Sequence, residues 1–169
     1  MEAINKNNIE IVELLIEYAK KNNIIIKLNE KNKYGNYPFL EAINKNNTGM
    51  VKLLMEYTDN NIINLELNEK NIYGNSPLLE VFNNNNIEIV RLLIKYAYKN
   101  CIFLELNEKV RFGNIPFMKI IEMKDIEVVK LLIEYVDKNG IILELNKIDK
   151  YGNNPFLEAI KINNHKLCR

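Results

Sequence analysis

Four glycine–proline pairs constrain this chain more than any other feature in it. Gly35, Gly74, Gly113 and Gly152 follow one another at intervals of 39 residues, and Pro38, Pro77, Pro116 and Pro155 keep the same step. Leu14-Leu15, Leu53-Leu54, Leu92-Leu93 and Leu131-Leu132 share the period. So do Tyr18, Tyr57, Tyr96 and Tyr135, and Asn29, Asn68, Asn107 and Asn146. No insertion breaks the register. A unit this short cannot bury its apolar face alone, so a drift-free period predicts stacked copies that share one continuous core. The expected organisation is one array: a partial unit at 1–31, full units at 32–70, 71–109 and 110–148, and a partial unit at 149–169.

Each unit reads as two helices and a return segment. In Asn32-Lys33-Tyr34-Gly35-Asn36 the Gly permits positive φ and turns the chain. Pro38 suits the first helical position, where its missing N–H costs nothing. A short helix over 38–45 follows, with Phe39, Leu40, Ala42 and Ile43 for a buried face. The residue before Pro is the expected N-cap, for which Ser76 and Asn154 are suited and Tyr37 and Ile115 are not. The pairs Asn7-Asn8, Asn46-Asn47, Asn85-Asn86, Lys124-Asp125 and Asn163-Asn164 then mark a break. Their first member should be left-handed and their second should cap the next helix. Long helices are expected over 9–20, 48–58, 87–98 and 126–137. Their Leu-Leu and Tyr rows fall at helical spacing, and the Tyr row reads as core packing with the hydroxyl at a wet edge. The alternation in Ile63-Asn64-Leu65-Glu66-Leu67 predicts an extended, strand-like segment with one buried face.

The order of turn, Gly-x-x-Pro, short helix, break, longer helix and return loop resembles the ankyrin repeat. Glu88-Ile89-Val90-Arg91-Leu92-Leu93-Ile94 is similar to that family's second-helix motif, and Leu67-Asn68-Glu69-Lys70 to its return loop. The resemblance covers essentially the whole chain. It implies an all-α solenoid of stacked helix-turn-helix units with short extended turns. The family's period is about 33 residues, and the surplus here falls between Tyr57 and Leu67 and at the equivalent positions. The family's Thr-Pro-Leu-His becomes Tyr37-Pro38-Phe39-Leu40, so apolar packing must replace the bond its His makes. Larger residues also stand for the family's paired Ala, as in Val81-Phe82 and Ile120-Ile121, which should push helices apart.

Composition excludes several classes of function. Lys and Arg number 23 against 22 Asp and Glu, a net charge of +1 that argues against a dedicated nucleic-acid surface. No apolar run reaches the 18 residues of a membrane span, and no basic start with an apolar core suggests a signal peptide. Cys101 and Cys168 lie at different phases of the repeat, so thiols in an intracellular, cytoplasmic protein are expected. Two Cys and the single His165 cannot supply a spaced metal-ligand set. The Gly-Asn turns lack the Lys-Ser/Thr of a phosphate loop. Glu41, Glu80 and Glu158 recur in the short helix, but Lys119 stands in the third copy, so they read as a helix-face charge. Catalysis needs unlike groups converging on one point, whereas these polar residues repeat along a line. No enzyme activity, cofactor or metal is therefore expected.

What remains is a scaffold that binds protein partners, as a monomer or within a longer array. The other reading is the substrate-recruiting or regulatory arm of a larger enzyme, such as a ubiquitin-ligase adaptor. The aromatic turn residues Tyr34, Tyr73, Phe112 and Tyr151 read first as packing on the neighbouring turn, with peptide or base stacking as the functional alternative. Binding positions on repeats are those that vary while the frame stays fixed. They are Lys33, Ile72, Arg111 and Lys150 before the aromatic, Tyr37, Ser76, Ile115 and Asn154 before the Pro, and Lys45, Asn84 and Met123 at the end of the short helix. The resemblance implies that these turn tips and the inner side of the short helices form the concave, partner-facing surface.

Overall fold

The computed structural model describes residues 1–61, 63–107 and 115–167, with side chains to Lys161. Among the described residues there are nine helices and no strand. They are α1 (Glu2–Asn5), α2 (Ile9–Lys21), α3 (Pro38–Asn44), α4 (Thr48–Asn61), α5 (Pro77–Asn83), α6 (Ile87–Lys99), α7 (Pro116–Glu122), α8 (Ile126–Lys138) and α9 (Pro155–Leu167). The chain divides into two compact bodies, residues 1–92 and 93–169. In the first, α3 packs on α4 and α5, and α2 packs on α4; in the second, α7 packs on α8 and α9. The all-α repeat architecture expected from the period is what the chain forms.

The local signals act as their chemistry dictates. Asn7, Asn46, Asn85 and Lys124 have φ between 52° and 59°, the left-handed turn expected at the first break position. The second break position caps the long helix every time. Asn8 Oδ1 accepts from Ile11 N at 3.0 Å, Asn47 Oδ1 from Met50 N at 2.9 Å, Asn86 Oδ1 from Ile89 N at 3.1 Å and Asp125 Oδ1 from Val128 N at 2.9 Å. At the far end, Asn23, Cys101 and Gly140 turn left-handed. Ile24 N, Ile102 N and Ile141 N then return to Ala19 O, Ala97 O and Val136 O at 2.8–2.9 Å. That closure satisfies carbonyls a helix end leaves open.

The residues in excess of the family's period lengthen the long helix and then run extended. Leu65 and Leu67 are buried while Asn64 and Glu66 are exposed, and Leu104 and Leu106 are likewise buried. The alternation is therefore present without a strand ladder. These segments are held by the next repeat's tyrosine. Tyr57 Oη accepts from Ile26 N at 2.9 Å; Tyr135 Oη accepts from Leu104 N at 3.0 Å and donates to Ile102 O at 2.6 Å. The tyrosine hydroxyls thus sit inside the stack, not at the wet edge the sequence suggested, because the added return segment covers them. Burial pushes the Tyr135 hydroxyl above its ordinary value, and the Leu104 N–H pulls in the other direction.

Two further expectations need correction. Ser76 has the right chemistry for a cap, yet its side chain makes no capping bond; the residue is buried at the start of α5. And α9 runs unbroken across Asn163-Asn164. In earlier repeats the break is fixed by a long helix that returns against the short one, and five residues after Asn164 are too few to form it.

Candidate partner-binding surface

The turn tips are built by one side chain that the sequence reading passed over. Asn32 Oδ1 accepts from Tyr34 N at 2.9 Å and Asn36 N at 3.0 Å. Asn71 Oδ1 accepts from Tyr73 N and Asn75 N at the same distances, and Asp149 Oδ1 from Tyr151 N at 2.7 Å and Asn153 N at 2.9 Å. This fixes the loop and turns residues 33 and 34, and their equivalents, outward. The signal was an Asn or Asp three residues before each turn Gly.

Adjacent turns of the first body are joined. Ile72 N donates to Tyr34 O at 3.1 Å, and Asn71 Nδ2 to Asn36 Oδ1 at 2.8 Å; Asn36 Nδ2 in turn donates to Glu41 Oε1 at 2.7 Å, tying the tip to α3. The approach is close enough that a Cβ on Gly35, whose φ is +73°, would lie 2.9 Å from Asn71 Cα. Two residues of each tip stand clear of this frame. Tyr34, Ile72 and Tyr73 are exposed, and Lys33 Nζ lies 4.9 Å from the centre of the Tyr34 ring. In the second body Lys150 Nζ lies 4.8 Å from the ring of exposed Tyr151. The aromatic row is therefore presented to solvent; it is the backbones of the turns that pack. Arg111 and Phe112 lie outside the described residues.

The row before the proline behaves differently. Tyr37, Ser76 and Ile115 are buried. The Tyr37 hydroxyl donates to Glu66 O, with Glu69 O at 3.3 Å. Burial, with the nearby Glu66 and Glu69 charges, holds it well above the ordinary tyrosine value. These three are core and lie out of a partner's reach, because the return segment crosses over them. Asn154 caps α9, its Oδ1 accepting from Leu157 N at 2.7 Å. At the end of the short helices Lys45 is exposed, whereas Asn84 and Met123 are half-buried and Asn84 Nδ2 donates to Ile43 O of the preceding repeat at 2.7 Å.

The recurring acids show no convergence. Glu41 holds Asn36, and Glu158 lies 3.4 Å from Lys161. Burial raises the carboxyl of Glu80. Among the described residues no cluster of His, Cys, Asp and Glu could hold a metal ion, and no helix is long and apolar enough to cross a membrane. The family described as ankyrin repeats (3 copies) matches residues 1–103, more than half of the chain. No curated protein matches it significantly.

Proposed function

Because the chain belongs to the ankyrin-repeat family, whose repeats are in general protein–protein interaction modules, we propose that it is a non-catalytic scaffold that takes its partner on the turn tips. The observation that carries this reading is the exposed pair of joined tips: Tyr34 with Lys33 on one, Tyr73 with Ile72 on the next. Large apolar and aromatic side chains held in water on a hydrogen-bonded frame have no core to serve. Aromatic residues are also those that dominate binding energy at interfaces, and the frame spares a partner the cost of ordering them. Lys33, Tyr34, Ile72 and Tyr73 form the primary contact, with Lys45, Lys150, Tyr151, Arg111 and Phe112 extending it.

The test is capture of partners from the source cell by the wild type and by a Tyr34→Ala, Ile72→Asp, Tyr73→Ala variant. A partner held by the wild type and lost by the variant, at an unchanged thermal midpoint, supports the reading. Equal retention by both proteins overturns it.

A further inference from the structure

Two apolar faces of this chain are opposite sides of the same joint. On α2, Ile11, Leu15 and Tyr18 are 45%, 54% and 62% exposed. Their equivalents in the next three repeats, which include Met50, Leu54 and Tyr57, are at most 5% exposed. The opposite side lies in the second body, where Phe117, Val129, Ile133, Leu145 and Phe156 line a groove of about 420 Å³ between α7, α8 and α9. Ile133, Leu145 and Phe156 are 43%, 45% and 62% exposed, against at most 7% for their equivalents in the earlier repeats, such as Met55, Leu67 and Phe39. Within the first body this kind of surface is filled by the following long helix, as α4 packs on α2 and α3.

Charge and hydrogen bonding agree with the same pairing. Lys52 of α4 forms an ion pair with Glu88 of α6. Two periods away, the equivalents are Glu10, exposed on α2, and Lys130, exposed on α8 with Glu127 at 3.0 Å. Tyr135 uses Leu104 N and Ile102 O; one period on, these become Leu143 N and Ile141 O, the positions a Tyr18 hydroxyl would reach. The short helices are also interchangeable: Glu158-Ala159-Ile160 of α9 repeats Glu2-Ala3-Ile4 of α1 in register.

We propose that copies of this chain associate head to tail, with α2 of one copy seated in the α8–α9 groove of the next. In the seated complex α9 takes the place of the four-residue α1 beside α2 and α3. The contact is heterologous: the patch on one copy differs from the patch it meets, so the joint left open at each end recruits a further copy.

The test is sedimentation equilibrium of the full chain across a hundredfold range of concentration. The average mass should climb through the dimer to larger species. Leu15→Glu disables the α2 face and Phe156→Glu the groove; both residues are exposed, and circular dichroism checks that each variant stays folded. Alone, each should remain a monomer. Mixed in equal amounts, they should form a dimer and stop there, since each keeps one working face. Glu10→Lys should weaken association by about threefold, and adding Lys130→Glu should restore it, the size expected of an exposed ion pair. A wild type that stays monomeric throughout, a dimer that does not grow, or a mixture that remains monomeric overturns the proposal.

Discussion

Tyr57 reaches back 31 residues to hold Ile26: its hydroxyl accepts the Ile26 backbone N–H at 2.9 Å. The bond closes the return segment of one repeat with the long helix of the next. Tyr18 occupies the same place in the first repeat and is exposed. The two therefore report the bond in isolation. Tyr57→Phe should cost about 1 kcal/mol in urea unfolding of dilute protein, and Tyr18→Phe next to nothing. Equal effects at both positions would remove the hydroxyl from the account of stacking.

Gly35 and Gly152 are both left-handed, at φ +73° and +80°, but only Gly35 is hemmed in by backbone. Gly152→Ala should cost about 1 kcal/mol, the penalty of the conformation alone. Gly35→Ala adds the overlap with Asn71 and should cost about 3 kcal/mol. Chemical denaturation of the two variants checks the difference.

Tyr37 gives the fold an alkaline weakness. Its folded value lies above the ordinary one through burial first and then the Glu66 and Glu69 charges. A raised value means its contribution is complete below the unfolded value of about 10 and is lost as pH rises beyond it. Stability of the wild type relative to Tyr37→Phe should be constant to about pH 9 and fall above it. A constant difference to pH 11 would contradict this.

Asp149 does the opposite at low pH. Partial burial raises its carboxyl, but the Asn153 and Tyr151 N–H groups, the Asn153 side chain and the Lys161 charge outweigh this and lower it on balance. A lowered value means a contribution present above the unfolded value of about 4 and lost as pH falls through the folded one. Asn does the same structural work at Asn32 and Asn71, so Asp149→Asn should keep the turn. The stability gap between wild type and variant should shrink below about pH 4 in acid titrations followed by circular dichroism.

Cys101 is exposed and left-handed at φ 53°, where the equivalent residues are Asn23 and Gly140. A side chain with a Cβ pays for that conformation, and Gly does not. Cys101→Gly should raise stability by about 0.5 kcal/mol, read as a higher urea midpoint.

Much of this fold was legible because it rests on chemistry within a few residues. The left-handed Asn46 and the capping Asn47 leave their mark in the sequence, and so does Pro38 at the start of α3. What could not be read depends on segments far apart. Tyr37, Ser76 and Ile115 vary between repeats and looked like surface, yet each is buried; Tyr37 meets Glu66, 29 residues away. Variation there reflects three ways of packing one core position. The wet edge assigned to Tyr57 failed for the same reason, since the segment that covers it belongs to another repeat. At the tips, Tyr34 and Tyr73 were legible as a row, but that their rings face outward while their backbones pack depends on Asn32 and Asn71.

Most of the polar joints between repeats in the first body are amide to amide. Asn47 meets Asn7 and Asn86 meets Asn46, both at 2.7 Å; Asn71 meets Asn36 at 2.8 Å, and Asn29 meets the Asn64 carbonyl at the same distance. None of these groups carries a charge, so ions in solution do not screen them, whereas contacts made through an exposed lysine such as Lys33 are screened. A rise in ionic strength can therefore release a bound partner while the spacing of the tips that held it stays unchanged.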